Sequence, residues 1–99
     1  MAPAKPFATF ESTKRFNKAF RALDPQRKKQ ADKAVRLLFQ NPAHPGLETH
    51  QIRPDKYYWE AYMNRDERII YIPEGPHLVL VDIVPHDDID RYAKAPTAR

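Results

Sequence analysis

Five side chains have the types and spacing to act on a phosphate ester. Arg68 begins "RIIYI". His86 and Asp87 follow the most apolar run of the chain, "LVLVDIV", and Tyr92 comes six residues after His86. His50 lies on the segment leading into the aromatic stretch "YYWEAYM". Arginine can grip a phosphate through two parallel N–H bonds, and histidine titrates near neutrality. Cutting RNA through its 2′-hydroxyl needs a base, a cation for the phosphorane and an acid for the leaving 5′-oxygen. His86 could be acid or base, Arg68 the cation, and Tyr92 a stacking platform or proton-bearing group. Each also has a structural role open to it. Arginine at a strand start can pair with a nearby acid, "HDD" can cap a helix, Tyr92 can plug a core, and His50 can sit on a strand surface. His86, Asp87, Asp88 and Asp90 lack the i, i+4 histidines of helical zinc sites and the glycine and glutamate of a calcium loop. No metal or cofactor is therefore expected.

The elements positioning these groups must fit in 99 residues, expected to be one domain over 1–99 with residues 1–6 and 95–99 flexible. Cysteine is absent. That excludes a disulfide framework, thiolate zinc and thiol nucleophiles, and fits a cytoplasmic protein. "MAPAKPF" has no apolar stretch of the kind a secretory signal needs. The run Leu78–Val84 contains Asp82 and falls far short of the roughly 20 residues that span a bilayer, so no membrane association is expected. Net charge is +4, unevenly spread: residues 1–46 hold 10 Lys/Arg against 3 acids, residues 47–99 hold 7 against 10. A basic first half suits a polyanionic partner, or is simply a solvated helix face.

"FATFE" (7–11) alternates as a short strand. Phe16, Ala19, Phe20 and Leu23 then mark one face of a helix, with Ser12 or Thr13 as cap. Asp24 and Pro25 suit the cap and first position of a second helix, whose stripe is Ala31, Ala34, Val35 and Leu38 and which "NP" ends. Little separates the two, so they should form an antiparallel hairpin. Strands are expected over 47–52, 57–63, 68–72 and 78–84, with turns at "NRDE" and "PEGP". "DDIDRYAK" should be a short helix capped by Asp87 or Asp88, with Ile89, Tyr92 and Ala93 facing inward. This is an α+β domain. The hairpin covers one sheet face and the other is left partly open. Arg68 and His86 are expected to face each other across that opening.

The succession "NPAHPGLETHQI", "YYWEAYMNRDERIIYI" and "LVLVDIVPHDDIDRY" after two amphipathic helices resembles the RelE/ParE superfamily of small bacterial toxins from toxin–antitoxin operons. The likeness runs from about Phe7 to Lys94. It implies a curved, mainly antiparallel sheet of four to five strands under the hairpin, and a cognate antitoxin, small and acidic at its C-terminal segment, wrapped around the toxin. In the RelE branch it implies cleavage of messenger RNA on the ribosome without a cofactor or metal. The resemblance puts Arg68 on the scissile phosphate and His86 on the leaving group, with Tyr92 and His50 at supporting positions. The lysines that some relatives carry on the strand matching 57–63 are missing, so Glu60, His50 or Asp87 would have to be the base. Lys14, Lys18, Lys28, Lys29 and Lys33, with Arg53 and Arg65, would bind RNA. The ParE branch, which poisons DNA gyrase without hydrolysis, and inactive relatives that only bind antitoxin share this pattern.

Overall fold

Thr13 stops the first strand and starts the first helix. Its backbone is extended and its hydroxyl accepts from the Phe16 N–H, satisfying one of the free donors of the helix start. The computed structural model describes residues 5–52 and 57–93. Within them β1 (Thr9–Ser12) leads to α1 (Lys14–Arg21), then α2 (Pro25–Gln40), β2 (His50–Gln51), β3 (Trp59–Tyr62), β4 (Glu67–Glu74), β5 (His77–Pro85) and α3 (Asp90–Ala93). Asp24 caps α2 by accepting from the Arg27 N–H, and Pro25 takes the first turn, where no N–H is needed.

The strands form one sheet in the order β1-β5-β4-β3-β2. All neighbours are antiparallel except β1, which runs parallel to β5 after the helices carry the chain back across the sheet. On one face Trp59, Ala61, Met63, Ile69, Tyr71, Leu78 and Leu80 meet Phe16, Leu23, Ala31, Ala34 and Leu38. Ala31 and Ala34 are small enough to let α2 lie close on the strands. Leu38 is fully buried, and truncating it to alanine would cost about 2–5 kcal/mol. No described helix is long and apolar enough to cross a membrane.

The second face departs from expectation. It is not open along its length: Ile70, Ile72, Val79 and Val84 are buried there with Ile52, Tyr58 and Tyr92, and Ile89 and Ala93 pack against them. The apolar residues on both sides of β5 required this second cover, which α3 and the Tyr57–Tyr58 segment provide. Among the described residues the polar groups of that face are the buried Asp82, beside Tyr92, and the patch around Glu60 and Arg68.

Local boundaries also differ. The opening strand is Thr9–Ser12 rather than 7–11, set by its register with His77–Leu80. Residues 47–52 are not one strand. Pro45–Leu47 is a 3-10 turn, and Glu48 takes a left-handed conformation (φ 46°) that breaks the alternation before β2. The third strand spans 59–62 within the expected 57–63. Pro73 and Glu74, expected in a turn, extend β4, and Gly75 (φ 58°) makes the turn alone with Pro76. Neither Asp87 nor Asp88 caps: the segment His86–Asp88 is a 3-10 turn begun by Pro85 without a side-chain cap, because the proline has already fixed the bend.

Candidate active site at the polar end of the sheet

Glu60 faces Ile70 across β3 and β4, and Arg68 faces Tyr62 one step nearer the turn. Alternation along each strand puts all four on the second sheet face. The Arg68 guanidinium is held from several sides. Its Nη1 donates to the carbonyls of Asn64 (2.8 Å) and Glu67 (3.0 Å), with that of Arg65 at 3.4 Å. Its Nε lies 3.7 Å from Glu60 Oε1, and its carbon sits 4.9 Å from the centre of the Tyr62 ring. Its Nη2 has no protein acceptor among the described residues.

Glu60 is nearly buried, 7% exposed, and its second oxygen reaches His50 Nε2 at 3.3 Å. His50 stands directly opposite Glu60 across β2 and β3, and its Nδ1 is 2.8 Å from the Glu48 carbonyl. Nδ1 therefore donates, and Nε2 is the nitrogen that faces Glu60. The left-handed Glu48 aims that carbonyl. His50, Glu60 and Arg68 thus form a contiguous string over three strands.

His86 is tied to the same end of the sheet. Its backbone N–H donates to the Asp66 carbonyl at 2.7 Å, and Arg68 is in register with Val84, two residues before it. One strand spacing and two residue rises separate the two backbones by roughly 8 Å. The His86 side chain is more than half exposed, with its Nδ1 3.7 Å from the fully exposed Asp87. By the same count His50 lies three strands and four rises from His86, roughly 20 Å. A single phosphate cannot touch both.

Tyr92 stands apart. It is 5% exposed, its hydroxyl donates to Asp82 Oδ2 at 2.6 Å, and its ring meets Tyr58 edge-on at 4.9 Å. Burial first, then the bonded Asp82 carboxylate, pushes the phenol well above its ordinary range, against the nearby Arg15. It fills the second core.

The site rests on a brace unseen in the sequence. Arg27 of α2 forms a two-pronged ion pair with Glu67 at the start of β4, and Asn64 donates to both Glu67 (3.0 Å) and Gln30 (2.8 Å). The turn whose carbonyls hold Arg68 is thereby fastened to the helical layer. The bond from Arg27 keeps the Glu67 carboxyl below its usual range despite its burial, and the same bond raises Arg27. Tyr62 was also not singled out from sequence, although the alternation of "YYWEAYM" places it beside Glu60 and the turn places it opposite Arg68.

Lys14 and Lys18 project from α1, and Lys28, Lys29 and Lys33 from α2. None of the five forms an ion pair among the described residues, but all belong to the layer behind the site. Arg65, exposed on the β3–β4 turn, adjoins Arg68; Arg53 lies outside the described residues.

No protein-family model matches the chain, and no curated protein sequence matches it. Solved structures do. YafQ from E. coli superposes with a TM-score of 0.68 over 81% of this chain and 94% of its own, at 16% identity. RelE, in the RelB–RelE antitoxin–toxin complex from Methanococcus jannaschii, gives 0.64 over 86% and 98%, at 13% identity. The YoeB/ParE toxin from Agrobacterium tumefaciens gives 0.61 over 79% and 98%, at 14% identity. With α1 and α2 on one face, the short α3 on the other and five strands in an open, mostly antiparallel sheet, this chain has the fold of the RelE/ParE-like toxins.

Proposed function

We propose that this chain is the toxin of a toxin–antitoxin pair and acts as an endoribonuclease on messenger RNA at the ribosome. The observation that carries this reading is the tethered Arg68 guanidinium. Its Nη2 has no protein acceptor among the described residues, a carboxylate lies on one side, and the exposed imidazole of His86 stands at the same sheet end.

In this reading the 2′-oxygen of the substrate attacks the adjacent phosphorus. The P–O5′ bond breaks, leaving a 2′,3′-cyclic phosphate and a 5′-hydroxyl. Arg68 carries the charge gathering on the phosphorane oxygens. His86 gives a proton to the departing 5′-oxygen. Glu60 takes the 2′-hydroxyl proton and hands it to Nε2 of His50, which stands at the surface and releases it to water. Asp87 orients the His86 ring through Nδ1. No metal ion enters this scheme. Tyr92 stays in the core. The lysines of α1 and α2 and Arg65 hold more distant RNA phosphates by charge. An antitoxin with an acidic segment is the natural partner of that basic surface.

The test is induction of the chain in cells with transcript ends mapped. Wild type should arrest growth and produce new translation-dependent RNA ends; Arg68→Ala and His86→Ala should each abolish them. Trapped DNA breaks with intact transcripts would instead mark a gyrase poison. Toxicity unchanged in both variants would remove Arg68 and His86 from the chemistry.

A further inference from the structure

Beside the proposed site, between the first half of α2 and the β3–β4 turn, lies a cleft of about 700 Å³. Gln26, Gln30, Tyr62, Asn64, Arg65 and Asp66 line it. Tyr62 joins cleft and site, because the same ring carries the Arg68 guanidinium at 4.9 Å. A phosphate gripped by Arg68 therefore has this cleft within the reach of one sugar.

The lining says what fits. Arg27 is neutralised by Glu67 and Asp24, and Asn64 is used up by Gln30, Glu67 and the Asp66 N–H. What remains without a partner among the described residues is the NH2 of Gln30, the amide of Gln26, the Asp66 carboxylate, the Arg65 guanidinium and the Tyr62 hydroxyl. One carboxylate and one guanidinium beside free amides and an aromatic ring suit no second phosphate. They suit a flat, uncharged ring with hydrogen-bonding edges.

We propose that this cleft holds the nucleobase next to the bond that is cut, stacked on Tyr62 and read by Asp66 and Gln30. Asp66 accepts from an exocyclic amine and Gln30 donates to a ring nitrogen or carbonyl, so adenine, cytosine and guanine are favoured over uracil. This rests on the ribonuclease reading above.

The experiment titrates the full chain with four RNA pentamers that differ only in the base at the cut and carry a 2′-O-methyl group there, which blocks cleavage. Binding is followed by affinity and by the side-chain amide NMR signals of Gln30 and Asn64. The Gln30 signal should move with the three amine-bearing bases, and the uracil pentamer should bind roughly tenfold more weakly. Tyr62→Leu should lower the affinity of the other three by about tenfold, the scale of one lost base stack. Tyr62→Phe, which keeps the ring, should restore most of it. Pentamers that bind in an Arg68-dependent way while Gln30 stays still, or Tyr62→Leu without effect, would overturn the pocket and spare the ribonuclease reading. Absence of binding by any pentamer, or movement of Gln30 only with an acidic peptide, would also overturn the pocket, while the ribonuclease reading is decided separately by the mapped transcript ends.

Discussion

Arg68 places one nitrogen against the carbonyls of its own turn and a second beside Glu60, so its planar fork is fixed before any phosphate arrives. Lysine has no such fork. Arg68→Lys should lower RNA cleavage by about 10²-fold or more with an unchanged melting temperature; equal cleavage would show that a bare positive charge is enough. Tyr92 gives the opposite expectation. Removing its hydroxyl leaves Asp82 buried without its short bond, so Tyr92→Phe should cost about 1–3 kcal/mol in urea unfolding and leave cleavage untouched. Lost cleavage at unchanged stability would bring Tyr92 back into the chemistry. That Arg68 and His86 would lie at the same end of the sheet was legible, because each sits at a strand end next to a turn or proline. The sequence could not separate a tyrosine that plugs a core from one that serves a site. Both lie one helical turn past a strand, and only the position of Asp82 decides.

At the scale of elements, the brace between α2 and the β3–β4 turn decides whether Arg68 stays in place. The folded Glu67 carboxyl titrates below its ordinary value of 4.5. Its contribution to stability is thus complete above that value and lost as pH falls through the lower, folded one. Wild type should be more stable than Glu67→Gln at neutral pH, with the gap closing below about pH 4.5. Thermal melts across pH would check this, and a constant gap down to pH 2 would mean the ion pair is not the cause. The pair joins residues 40 positions apart, and no local periodicity predicts it. The two helices and their caps were readable, because a cap and an apolar stripe are local signals. Strand β2 was not. Its two residues are defined by their partners Glu60 and Trp59, and the left-handed Glu48 hides the break in alternation.

Over the whole molecule, the lysines that form no ion pair among the described residues lie on the helical layer, and the groups proposed for the chemistry lie on the far side of the sheet. If the chain is a ribonuclease, long-range attraction and chemistry should therefore be separable. Replacing Lys28, Lys29 and Lys33 together by glutamine should reduce the salt dependence of RNA binding by a slope of about 2, at roughly 0.7 per lost phosphate contact on a single strand. The cleavage rate at saturating RNA should not change. An unaltered slope would return those lysines to ordinary solvated positions. The charge asymmetry between the two halves of the sequence foreshadowed this division, whereas the placement of the second core under α3 did not, since it depends on how the chain end folds back.

The parallel pairing of β1 with β5 has a consequence for how the protein is born. Thr9 finds its neighbour in His77, so the first strand to leave the ribosome waits for the last one before it can dock. Contacts this far apart in sequence close slowly, and β4 gains its second neighbour only with the same strand. His86 follows immediately after. A nascent chain interrupted anywhere upstream therefore has neither a finished sheet nor His86, and under the proposed ribonuclease reading such a fragment would not cut RNA.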